Sequence, residues 1–115
     1  MMDPISKRMN RNPSIEIFER QARICRAFGH PARLQILHRL GEGELGSSEL
    51  QDQLSLSKTN VSQHLAILKA AGVLTTRRSG KQIYCRLAMP EVKEACQLIC
   101  KVLENQIVES QRLIA

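Results

Sequence analysis

No stretch of the 115-residue sequence approaches the roughly 18 consecutive apolar residues that read as a membrane span. The first fourteen residues also lack the apolar centre of a signal peptide, so a cytoplasmic protein is expected. In that reducing compartment the four cysteines, Cys25, Cys85, Cys96 and Cys100, are expected as thiols. None of their spacings is C-x-x-C, which leaves no zinc knuckle or thioredoxin-like motif. A Gly-rich phosphate loop, a spaced carboxylate pair and a Ser/His/Asp array are missing too, and an enzyme is not expected. Acidic side chains are outnumbered, 11 against 17 Lys and Arg, giving a net charge of +6. That balance favours a polyanionic partner such as nucleic acid.

A chain of this size builds one core of modest stability, which makes a homodimer plausible before any motif is read. Neither internal repeats nor a low-complexity segment divides it. Residues 1–13, with Lys7, Arg8 and Arg11 between Pro4 and Pro13, read as a mobile basic arm, and residues 14–115 as the single domain. Ser14 is placed to cap a first helix to about Phe28, with Ile15, Phe18, Ala22 and Cys25 on one side. After Gly29, His30-Pro31 starts a second helix whose buried face is expected at Leu34, Leu37 and Leu40. A short third helix follows Gly46, capped by Ser47 or Ser48, with Gln51 placed to complete a capping box with Ser48. Ser57 caps a fourth helix running to Gly72, in which Val61, Leu65 and Leu68 face inward and a small, polar side faces out.

Val73–Arg77 and Gln82–Leu87 read as two strands around the turn Arg78-Ser79-Gly80-Lys81, a hairpin with a basic tip. Pro90 opens a last helix whose stripe of Val92, Cys96, Ile99, Leu103 and Ile107 is too long for one small core, so a partner helix is its expected cover. Short helix, three-residue turn, capped polar-faced helix and basic hairpin form the order of a winged helix-turn-helix. The expected fold is mostly α: about five helices and a two-stranded wing. Its expected partner is double-stranded DNA, since a helix fits the major groove while a basic hairpin neutralises neighbouring phosphates.

The sequence resembles the ArsR/SmtB family of metal- and thiol-responsive repressors at His30-Pro31-x-Arg33-Leu34-x-Ile36-Leu37, at Ser57 through Leu65, at Leu68-x-x-x-Gly72-Val73-Leu74, and at Gly80-Lys81-x-x-Tyr84-x-Arg86-Leu87. These motifs keep the family's order and spacing across about residues 15–105. The resemblance implies a sequence-specific repressor, dimerising through the first and last helices, that needs no cofactor to bind DNA. Ser57, Lys58, Thr59, Asn60, Ser62, Gln63 and His64 would face DNA, and Arg77, Arg78 and Lys81 would serve the wing. Ser57 reads equally well as only a helix cap; His30 reads as structural and His38 as solvated or dimer-side.

Where many relatives carry two cysteines in E-L-C-x-C-D-L, this chain has Glu44-Leu45-Gly46-Ser47-Ser48-Glu49-Leu50. Where others bind zinc on the last helix, it has Met89, Glu91, Val102 and Asn105. Neither family site is therefore expected. Cys96 and Cys100, at i and i+4, share one side of the last helix and can reach one ion. A third thiolate from Cys25 would suit a thiophilic inducer such as As(III) or Sb(III), whereas Cys85 shares strand parity with Ile83 and Leu87 and reads as core. Persulfide or redox sensing by the same pair, and inert packing, remain open alternatives.

Overall fold

The computed structural model describes residues 14–114, so the basic arm read over residues 1–13 lies outside the described residues. Five helices and a small sheet follow one another: α1 (Ile15–Phe28), α2 (Pro31–Leu40), β1 (Leu45–Gly46), α3 (Ser47–Leu54), α4 (Lys58–Ala70), β2 (Leu74–Ser79), β3 (Gln82–Leu87) and α5 (Pro90–Ile114). No helix among the described residues is long and apolar enough to cross a membrane.

Local chemistry sets most of these boundaries. At α2 the His30 ring takes the cap, its Nδ1 accepting the Ala32 N–H at 3.1 Å, with Pro31 in the first turn where no N–H is needed. His30 is thus structural, as its place before Pro31 suggested. The buried face of α2 is formed by Ala32, Ile36, Leu37 and Leu40, while Leu34 stays partly exposed at 37%. The expectation for Leu34 is therefore corrected, because the helix turns Ile36 rather than Leu34 onto α3 and α4. The cap of α3 is corrected as well. Gly46 holds that position and the Glu49 carboxylate accepts its N–H at 3.2 Å, leaving Ser48 to donate to Gln82 Oε1.

The sheet has three strands rather than two, in the order β1-β3-β2, all antiparallel. β1 is two residues long, too short to show any periodicity, yet it places Leu45 against Cys85 and Gly46 against Tyr84. The hairpin turns through Gly80 and Lys81 alone, since Arg78 and Ser79 still pair with Ile83 and Gln82. Gly80 supplies the left-handed backbone, at φ 61°, that a two-residue hairpin favours.

Ile36, Leu37, Leu40, Leu50, Val61, Leu68, Leu74 and Cys85 form the centre of one core between α2, α3, α4 and the sheet. Cys85 is fully buried and its thiol is pushed up to about 11, by burial first and by the Glu44 charge second, which fits its reading as a core residue. The first turn of α5 joins this core through Val92. Beyond it, Leu98, Ile99, Val102, Leu103, Ile107 and Val108 remain exposed, as do Ile15 and Phe18 of α1. Exposed apolar surface of this extent is the kind that marks an association face.

Candidate nucleic-acid interface

The reading helix α4 is anchored by Val61, Leu65 and Leu68, all buried, at spacings that keep them on one side. The opposite side therefore projects outward: Lys58, Thr59, Asn60, Ser62, Gln63 and Ala66 are exposed. Ser57 is exposed too, and its Oγ accepts the Asn60 N–H at 3.1 Å, so its hydroxyl oxygen is engaged as the helix cap. Ser62 and Gln63 have no such local engagement among the described residues.

His64 is placed differently from its sequence neighbours. Its ring is half-buried and packs against His30, centroids 4.6 Å apart and planes tilted by 47°. Burial, followed by the His30 and Arg33 charges, pushes its pKa below the ordinary imidazole value. Its Nδ1 is buried without a hydrogen-bond partner among the described residues. The ring thus seats α4 on the start of α2 instead of standing on the outer side with Gln63.

On the wing, adjacent arginines take opposite faces, since side chains alternate along a strand. Arg77 shares the face of its partner Tyr84 and lies over that ring, 4.5 Å from the centroid. Its guanidinium also forks onto Glu44, Nη2 to Oε1 at 2.7 Å and Nε to Oε2 at 3.0 Å. The Arg77 hydrogen bonds hold the Glu44 carboxyl below its ordinary pKa. In this arrangement Arg77 braces the wing against the segment before β1. Arg78 and Lys81 are exposed at the tip and form no ion pair with a described residue. Sequence reasoning missed Glu44, although an acid just ahead of the Gly46 turn was the available signal.

The thiols lie elsewhere. Cys96 and Cys100 border a cavity of about 490 Å3 between the C-terminal end of α2 and α5, with Leu37, His38, Lys93 and Glu104. Burial, with Cys100 as a second cause, pushes the Cys96 thiol up. Cys25 is exposed on α1. Among the described residues of one chain no group of three or more His, Cys, Asp or Glu side chains gathers to hold a metal ion, so a single chain does not bring Cys25 to the other two. Exposed His38 borders the same cavity.

A polar helix presented by a helix-turn-helix, followed by a basic two-stranded wing, defines a winged helix-turn-helix domain. Known proteins place it further. Residues 28–77 match the model of a helix-turn-helix domain family. The biofilm growth-associated repressor of Xylella fastidiosa is 34% identical over 99 residues, 86% of this chain and 84% of that protein. The transcriptional repressor SmtB of Mycobacterium tuberculosis is 43% identical over 76 residues, 66% of this chain and 56% of the repressor. The chain thus spans little more than half the length of that relative. A homodimeric winged helix-turn-helix DNA-binding domain from Mycobacterium bovis superposes with a TM-score of 0.75 at 28% identity, covering 81% of this chain and 86% of that one. The chain belongs to the ArsR/SmtB family of winged helix-turn-helix transcriptional regulators.

Proposed function

We propose that this cytoplasmic protein is a sequence-specific transcriptional repressor that binds double-stranded DNA as a homodimer. The observation that carries the reading is the outer side of α4, where Thr59, Ser62 and Gln63 stand exposed over a buried apolar seam. Small polar side chains on such a helix can reach base edges in the major groove. Arg78 and Lys81 reach phosphates beside it, and the uncovered faces of α1 and α5 pair with those of a second copy. The dimer should select a nearly palindromic duplex with half-sites about one helical turn apart, and its affinity should fall steeply as salt rises. Light scattering and a salt titration on selected duplexes test this. A flat salt response, or a monomer with full affinity, overturns it.

The inducer reading is finer and rests on Cys96 and Cys100. Their i, i+4 spacing and shared cavity suit a thiophilic ion such as As(III) or Sb(III), with Cys25 as a third donor across the dimer. Binding displaces thiol protons, and because the Cys96 pKa is raised, ion affinity should increase with pH. As(III) should release operator from the reduced parent protein and not from Cys96→Ser or Cys100→Ser. Operator DNA should in turn weaken As(III) binding by the same factor, typically about 5–150-fold. Release that survives both substitutions rejects the site; release by a persulfide donor alone moves the assignment to redox sensing.

A further inference from the structure

We infer that Arg23, Arg26 and Arg33, gathered around a cavity of about 260 Å3 where α1 and α2 meet the C-terminal half of α4, form a second phosphate-binding site for the DNA backbone. The inference rests on the proposed DNA binding and extends it to arginines of α1 and α2, beyond the reading-helix and wing residues assigned above.

The lining holds these three arginines with Ile67 and Ala70 of α4 and its C-cap Ala71, and no carboxylate. None of the three forms an ion pair with a described residue. Like charges converging on one concavity repel, and an anion is the natural relief. One alternative is that the arginines only satisfy the carbonyl end of α1, where cations are favoured. Arg33 does serve that end, donating from Nε to the Ala27 carbonyl at 2.7 Å and from Nη2 to the Arg26 carbonyl at 3.1 Å. The Gly29 N–H also donates to Arg26 O. With those carbonyls occupied, Arg23 and Arg26 are not needed there. Arg33 keeps three of its five donors without an acceptor among the described residues, held in place by the two it uses.

Position selects a duplex as the source of the phosphate. The cavity starts at Ile67, four residues beyond Gln63, or about 6 Å along the axis at ~1.5 Å per residue. A groove occupied by the outer side of α4 brings its flanking backbone to that distance. The small side chains of Ala70 and Ala71 leave space for it, and arginine is the side chain whose planar fork matches phosphate.

The test compares the full-length parent with Arg23→Gln/Arg26→Gln, which removes charge at two exposed helical positions and leaves the Arg33 lock intact. The variant should remain a dimer by light scattering and bind operator and unrelated duplex more weakly by the same factor. Its plot of log affinity against log salt should be shallower by about 0.9 for each phosphate that the variant no longer neutralises. An unchanged affinity and slope overturns the inference, as does a weakening confined to one base position. Thermal melting in inorganic phosphate supplies a separate arm. Phosphate that stabilises the parent and not the variant, with the DNA slope unchanged, assigns the cavity to a free anion and overturns the duplex assignment. A parent that binds no duplex overturns the function and this inference together; a parent that binds while the variant matches it overturns this inference alone.

Discussion

Val102→Asp/Leu103→Asp should yield a folded monomer whose affinity for the full operator is lower by a factor on the order of 10²–10⁴, because two linked half-site engagements become one and their avidity disappears. Both side chains are more than half exposed and lie outside the buried core cluster, so carboxylates there leave the helix-turn-helix intact. In the dimer the same positions fall within the apolar surface formed with Leu98, Ile99 and Ile107, where an unpaired charge meets low dielectric. Each variant chain would still present one α4 and one wing, so weak, salt-sensitive binding to DNA should survive. Light scattering, a melting curve and operator titration read the three parts separately. A dimer of unchanged affinity, or a monomer that holds the full operator as tightly as the parent, overturns the assignment of α5 to the dimer interface.

The second large effect concerns reading. Gln63→Ala should lose about 1–3 kcal/mol on the preferred operator and relax the preference at one base-pair position, because a primary amide presents a paired donor and acceptor to a base edge. Gln63 is suited to this by its neighbours: Val61 and Leu65 hold α4 from behind, and the side chain between them is left exposed. Arg78→Ala should instead weaken all duplexes alike, since a charge at the wing tip meets phosphates. Binding each variant to a panel of single-base operator changes separates the two patterns. Uniform losses of equal size from both substitutions would show that the reading helix and the wing are wrongly assigned.

Much of this was legible along the chain because it depends on near neighbours. A Ser57 cap with the inward seam of Val61, Leu65 and Leu68 is a pattern of period and end chemistry, and α4 forms there. Proline after His30, glycine in the hairpin and the overlong stripe of α5 likewise act within a few residues of themselves. The stripe even announces that a partner is needed, since apolar positions outnumber what one small core can cover.

Tertiary structure decided what depends on residues distant in sequence. The resemblance puts His64 with Gln63 among the DNA-facing residues, yet α2 arrives from more than thirty residues earlier and takes its ring against His30. The resemblance assigns Arg77 and Arg78 alike to the wing's DNA contacts. The strand pleat separates them, and Glu44, 33 positions away, engages only Arg77. β1 exists because β3 offers it a hydrogen-bonding edge, which two residues of sequence have no period to announce. Arg33 is read locally as part of a motif, but its convergence with Arg23 and Arg26 beside α4 appears only once α1 and α2 have closed their corner. Periodicity and capping are properties of adjacent residues and so are written in their order, whereas which charge finds which partner is settled by how the helices pack.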